Sequence, residues 1–149
     1  MKSISKLIST FFGIGYFPIA PGTLASLIIV VLYRFILYKI SWFFYLPILL
    51  ILFFIGVYTS SKYSSLQDKT DPRNIVIDEV LGQLLCLFML GPSWLPIILV
   101  FLLFRFFDII KPYPIKSFEG FSKGWGIMID DIIAAVFAGI IINIFLILI

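Results

Sequence analysis

Five apolar stretches, each closed by charged or turn-forming residues, divide this chain. The first two, Leu24 to Tyr38 and Trp42 to Tyr58, are separated only by a short polar gap around Lys39 to Ser41, which predicts an antiparallel helix pair. A third, Ile75 to Leu90, carries Asp78 and Glu79 near its start and stops at the turn residues Gly91 to Ser93. The fourth runs from Trp94 to Phe107 and is shut off by Pro112 and Pro114, and the fifth occupies Ile127 to Ile149. Ile4 to Phe12 reads as an additional, interfacial helix. The third and fourth stretches are short against the roughly 20 residues that cross a bilayer as a helix, so they borrow flanking residues or lie partly within protein.

Composition changes what these helices must be. Of 149 residues 62% are hydrophobic and 13% charged, too little polar surface to coat a soluble globule. The expected fold is an all-α, polytopic membrane helix bundle with about four to five membrane-embedded helices plus the N-terminal interfacial one. No repeat or low-complexity linker interrupts residues 1–149, so one domain is expected. No small-residue cleavage site follows "MKSISKLIST", which argues against a cleaved signal peptide. Cys86 stands alone in "LLCLFML" and reads as packing. The net charge of +3 is spread between apolar segments, which points to lipid headgroups rather than nucleic acid.

Charge also orients the bundle. With the N-terminus inside, Lys2, Lys6, Lys62, Lys69, Arg73, Arg105, Lys111, Lys116 and Lys123 fall on the inner side, leaving Arg34 and Lys39 for the outer. Every acidic residue, Asp68, Asp71, Asp78, Glu79, Asp108, Glu119, Asp130 and Asp131, falls at or near the inner face as well. Acidic residues do not set topology, so their one-sidedness implies a site there.

Three clusters carry that site: "NIVIDEVLGQ" with Asp78 and Glu79, "FRFFDIIKPYP" with Asp108, and "GIMIDDIIA" with Asp130 and Asp131. Carboxylates at membrane depth are costly unless they face a cation, each other or water. A set of hard oxygen ligands suits Mg²⁺, which keeps several waters and engages phosphate oxygens. Arg105, Asp108 and Lys111 recur at intervals of three on one helix face, offering a metal ligand beside phosphate binders. Gly22 and Thr23 in "GIGYFPIAPGTLAS" open the first span, with Thr23 as the expected N-cap and free N–H groups turned toward an anion; "GWGIM" is read the same way for the fifth. Blander readings stand beside these: Gly-Pro turns, an interfacial ion pair at Asp108, and helix N-terminal charges meeting the dipole at the two acidic pairs.

"FPIAPGTLAS", "IVIDEVLG", "FRFFDIIKPYPI" and "GWGIMIDDIIAAVFAG", in this order, resemble the phosphatidylglycerophosphatase A family over nearly the whole chain. The resemblance implies a Mg²⁺-dependent enzyme of the bacterial inner membrane, removing the terminal phosphate of phosphatidylglycerophosphate to leave phosphatidylglycerol. It further implies metal binding and catalysis by Asp78, Glu79, Asp108, Asp130 and Asp131, and a phosphate contact from Lys111. One departure is that Lys123 and Gly124 stand where members often read Gly-Gly.

Histidine is absent, which excludes histidine-dependent phosphatases; Cys86 lacks the arginine of a cysteine-phosphatase loop, and "DKTD" lacks the haloacid dehalogenase pattern. Metal-assisted hydrolysis survives, by direct attack of water, the preferred route, or through a phosphorylated aspartate. A rival from another class is a small cation transporter or proton relay, which would carry polar groups into the outer half, where the fifth segment has only Asn143. A cytidine-nucleotide-dependent headgroup transferase would show a D-G-x-x-A-R type motif, which is absent.

Labels placed between Gln67 and Asn74 and between Ser117 and Lys123 are expected to react from the cytoplasmic side, and labels at Ser93 and Ile149 from outside. Cysteine accessibility in intact cells measures this; an external Ser117–Lys123 loop would separate the acidic clusters.

Overall fold

The computed structural model describes residues 2–68, 72–88, 90–113, 115, 117 and 124–148. Lys69, Asp71, Pro114, Lys116, Glu119, Lys123 and Ile149, and the side chain of Lys2, lie outside what is described. Among the described residues there are six α-helices and no strand: α1 (Lys2–Ser9), α2 (Pro21–Phe35), α3 (Trp42–Gln67), α4 (Ile77–Leu87), α5 (Trp94–Ile110) and α6 (Gly124–Leu148). Short 3-10 turns follow α1 and α2.

Helix α3 runs nine residues past Tyr58, where the apolar stretch ends. Its polar extension is helical too, and its hydroxyls find partners inside the helix: Thr59 Oγ1 donates to the Ile55 carbonyl at 2.8 Å, and Ser65 Oγ to that of Ser61 at 2.8 Å. The buried residues Tyr45, Leu49, Gly56, Val57, Ser60, Tyr63 and Ser64 fall at helical spacing, so one stripe faces protein along the whole length.

Helix α4 lies at the centre, with nine of its eleven residues buried and α2, α3, α5 and α6 all packed around it. It approaches α6 closely because Gly82 leaves room for the Phe104 ring and the Asp131 carbonyl, and because Ala134, Ala135 and Ala138 are small and fully buried. Gly139, the next small residue along α6, borders open space instead. Cys86 is buried against α6, its thiol pointing at the Ala135 carbonyl at 3.5 Å, in keeping with a packing role. Two tyrosines tie the far end of α4 and the loop after it to their neighbours: Tyr45 Oη donates to the Leu84 carbonyl at 3.0 Å, and Tyr33 Oη to that of Leu90.

Helices α3 and α6 are long and apolar enough to cross a membrane, whereas α2, α4 and α5 are shorter. Only 33% and 28% of their most apolar windows is buried, the reverse of a soluble core helix. Their outer faces show Trp42, Phe43, Phe44 and Phe54 on α3 and Ile140, Ile144 and Ile147 on α6, surface that lipid covers more favourably than water. Where α2 ends and α5 begins, the Arg34 guanidinium sits over the rings of Phe35 (5.6 Å) and Trp94 (5.3 Å). The starts of α2, α4 and α6 and the ends of α3 and α5 meet at the opposite end of the bundle, which is where the site forms.

Close approach of α3 and α6 rests on Gly124, where a Cβ would run into the Val57 carbonyl and Ser61. Gly124→Ala is expected to lower stability by about 1–3 kcal/mol, while Gly139→Ala, with nothing nearby, leaves it unchanged or slightly raised. Thermal unfolding of the two purified variants in the same detergent is the measurement.

Candidate active site

A cavity of about 320 Å³ opens at this end of the bundle. Helix α4 contributes Asp78 and Glu79 from its first turn, α5 contributes Arg105 and Asp108 with Lys111 just beyond its end, and α6 contributes Asp130 and Asp131. Ala20, Pro21 and Gly22 at the start of α2, with Arg73 and Ile75 from the α3–α4 loop, complete the lining.

Neighbouring residues on a helix point about 100° apart, and the two aspartates of α6 use that divergence. Asp130 turns to α5, where its Oδ2 accepts from Lys111 Nζ at 2.5 Å. Asp131 turns to α4, and carboxylate oxygens of Asp78, Glu79 and Asp131 lie within 4.8 Å of one another. Glu79 Oε2 and Asp131 Oδ2 are buried without a hydrogen-bond partner among the described residues. Three converging hard oxygen donors, two with such unmet atoms, fit a divalent cation.

Two of the cavity's three cations are held by carboxylates. Arg105 reaches Asp108 at 2.7 Å across one helical turn and Glu79 on α4 at 3.9 Å. The i, i+3 stripe on α5 therefore forms for Arg105 and Asp108, while Lys111 leaves it to meet Asp130 on another helix. Lys111 can do so because it is the C-cap of α5 in the left-handed region, φ 46°, where Pro112 stops the helix; its own N–H still closes on the Phe107 carbonyl at 2.8 Å. A lysine there is strained by about 1–2 kcal/mol, and Ala20, φ 47°, stands in the same region across the cavity.

Of the residues expected from sequence, Asp78, Glu79, Arg105, Asp108, Lys111, Asp130, Asp131 and Gly22 all line this cavity. Gly22 is needed as glycine, since a Cβ would overlap the Glu79 carboxylate. Thr23 is not in the lining, and it is not the N-cap: α2 starts earlier, with Ala20 as N-cap and Pro21 in the first position. The start of α6 is also otherwise engaged, because Gly124 donates its N–H to Ser61 Oγ at 3.0 Å instead of holding it free for an anion. Asp68 is exposed as the C-cap of α3, outside the cavity. Arg73 was legible only as a basic loop residue, yet it stands in the cavity wall.

An all-helical protein with an acidic, cation-flanked cavity at one end of an apolar bundle is the class that fold and site define. The chain belongs to the phosphatidylglycerophosphatase A family, whose model matches residues 7–146. A Haemophilus influenzae protein named phosphatidylglycerophosphatase A is 38% identical over 138 residues, covering 91% of this chain and 85% of its own length. One of the same name from Escherichia coli is 35% identical over 144 residues, 95% and 83%. A Bacteroides thetaiotaomicron protein, provisionally named phosphatidylinositol-3-phosphatase, is 38% identical over 145 residues, 91% and 89%. No solved structure matches the chain.

Removing Lys111 leaves Asp130 buried without its cation, which costs more than removing both charges. Lys111→Met is thus expected to be less stable than Lys111→Met/Asp130→Asn by about 1–3 kcal/mol. A double-mutant cycle by thermal unfolding reads this coupling; equal stabilities would mean the pair holds nothing together.

Proposed function

We propose that the protein hydrolyses the terminal phosphate monoester of phosphatidylglycerophosphate, releasing phosphatidylglycerol and inorganic phosphate. The observation that carries this reading is a single small cavity lined by five carboxylates and three basic side chains at one end of an apolar bundle. A lipid substrate suits that placement, since its tails stay beside apolar helices while its headgroup meets charge. We place the protein in the bacterial cytoplasmic membrane as a multi-pass bundle with four to five embedded helices and the cavity on the cytoplasmic face. The basic-residue bias and the exposed apolar faces of α3 and α6 support this.

Asp78, Glu79 and Asp131 would hold Mg²⁺. When bound, the ion supplies charge neutralisation at the phosphoryl oxygens. Asp108 and Asp130, in this reading, act from the edge of the metal group by aiming Arg105 and Lys111 at the non-reacting phosphate oxygens. A cavity carboxylate takes a proton from the attacking water as its oxygen bonds to phosphorus. The bond to the glycerol oxygen breaks, and that oxygen leaves as a hydroxyl once protonated. Gly22 keeps the cavity wall close to Glu79, so the headgroup meets a fixed carboxylate.

The transporter reading is weaker, because Asn143 on the outer half of α6 is exposed and donates to the Gly139 carbonyl of its own helix at 2.7 Å. The provisional name of the Bacteroides relative makes phosphatidylinositol 3-phosphate the competing substrate.

Purified protein in mixed micelles is expected to release phosphate from phosphatidylglycerophosphate with Mg²⁺ and to stop with chelator. Release from phosphatidylinositol 3-phosphate alone would reassign the substrate. Asp131→Asn is expected to lose about 10²-fold or more in rate and to be only partly restored by extra Mg²⁺. Lys111→Met is expected to lose kcat/KM with its Mg²⁺ dependence near normal. Titrations of both variants against lipid and metal distinguish these, and wild-type rates in Asp131→Asn would sink the metal assignment.

A further inference from the structure

A second cavity, of about 330 Å³, adjoins the carboxylate cavity and shares two of its lining residues, Pro21 and Arg73. It extends away from the acids toward Tyr16, Phe17, Gln67 and Asn74. Inside the first cavity each cation is held at a carboxylate, Arg105 at Asp108 and Lys111 at Asp130. Arg73, at the junction, has no acidic partner among the described residues and is exposed.

The loop that carries Arg73 is nonetheless anchored. Asn74 Nδ2 donates to Tyr63 Oη at 2.9 Å, Gln67 Nε2 donates to Asn74 Oδ1 at 3.2 Å, and Val76 N–H donates to the Ser9 carbonyl at 2.9 Å. Gly15 packs directly on the Asn74 carbonyl, with no space for a Cβ. An arginine whose backbone is anchored at the junction of two cavities is placed to meet an anion that reaches from one into the other.

We infer that Arg73 binds a second phosphate of the substrate, the phosphodiester that joins headgroup to diacylglycerol. This rests on the proposed function, whose substrate carries a terminal monoester and an internal diester separated by a three-carbon glycerol unit. The monoester enters the carboxylate cavity, the glycerol crosses the junction at Pro21, and the diester meets Arg73. The acyl tails then leave past Phe17, which lines the second cavity and is half exposed. Arg73 would thus select headgroups with two phosphates over a lipid or free ester with one.

The test compares Arg73→Gln and Arg73→Lys with wild type in mixed micelles, measuring KM for phosphatidylglycerophosphate and competitive inhibition by inorganic phosphate. Inorganic phosphate fills only the monoester position. Arg73→Gln is expected to raise KM about tenfold while the inhibition constant for inorganic phosphate stays at the wild-type value, with Arg73→Lys between. An unchanged KM, or an inhibition constant that weakens in step with KM, overturns the inference. Wild-type protein that releases no phosphate would overturn the proposed function and take this inference with it, whereas active protein with an indifferent Arg73 overturns the inference alone.

Discussion

Everything at the polar end of this bundle answers to one constraint: carboxylates from three helices converge where little water reaches them. Asp130 and Asp131 are 4% and 2% exposed, and Asp78 is 9%. Like charges brought together in such a place repel unless counter-charge arrives with them. The chain supplies part of it by ending α5 with Lys111 off the helix and by laying Arg105 between Asp108 and Glu79. The helices must also come close enough for these pairs to form, and Gly22 and Gly82 permit it at the Glu79 and Asp131 levels.

Much of that arrangement is legible in the linear chain because each element is local. Acidic pairs that head an apolar run, and a basic-acidic-basic series before a proline, announce one face of one helix. What the sequence hides is which helix each side chain meets. Spacing alone puts Lys111 beside Asp108, whereas its left-handed cap redirects it to Asp130. Thr23 resembles an N-cap, but Pro21 already fits the first helical position and moves the start of α2 upstream. The polar stretch from Thr59 to Gln67 looks like a loop after a span, since hydropathy registers its hydroxyls and not the carbonyls they bond. Arg73 was hidden for a related reason: its significance comes from the strap through Asn74, Gln67 and Tyr63, residues on both sides of the loop whose meeting no periodicity signals.

The family relationship and the geometry bear on different questions. Relatives sharing 35–38% identity carry two substrate names, both for phosphorylated lipids, so identity at this level defines a phosphate-handling scaffold more securely than a headgroup. The charged side chains are clustered in the first cavity, while the second, beside it, is lined by uncharged residues of the α3–α4 loop and of the segment before α2 apart from Arg73 at the junction.

The contact of Arg34 with Phe35 and Trp94 gives the bundle a mechanical character as well. Helices α2 and α5 run antiparallel, and this cation between two rings fastens them at the end remote from the carboxylates. Their other ends carry Gly22 on one side and Arg105 to Lys111 on the other, like the jaws of a pair of tweezers. The site ends do not rely on that clasp, because both are tied to α4, where Gly22 lies against the Glu79 carboxylate and Arg105 reaches the same side chain. The two helices are thus held like a rung ladder, by an aromatic crosspiece at one end and a charged one at the other.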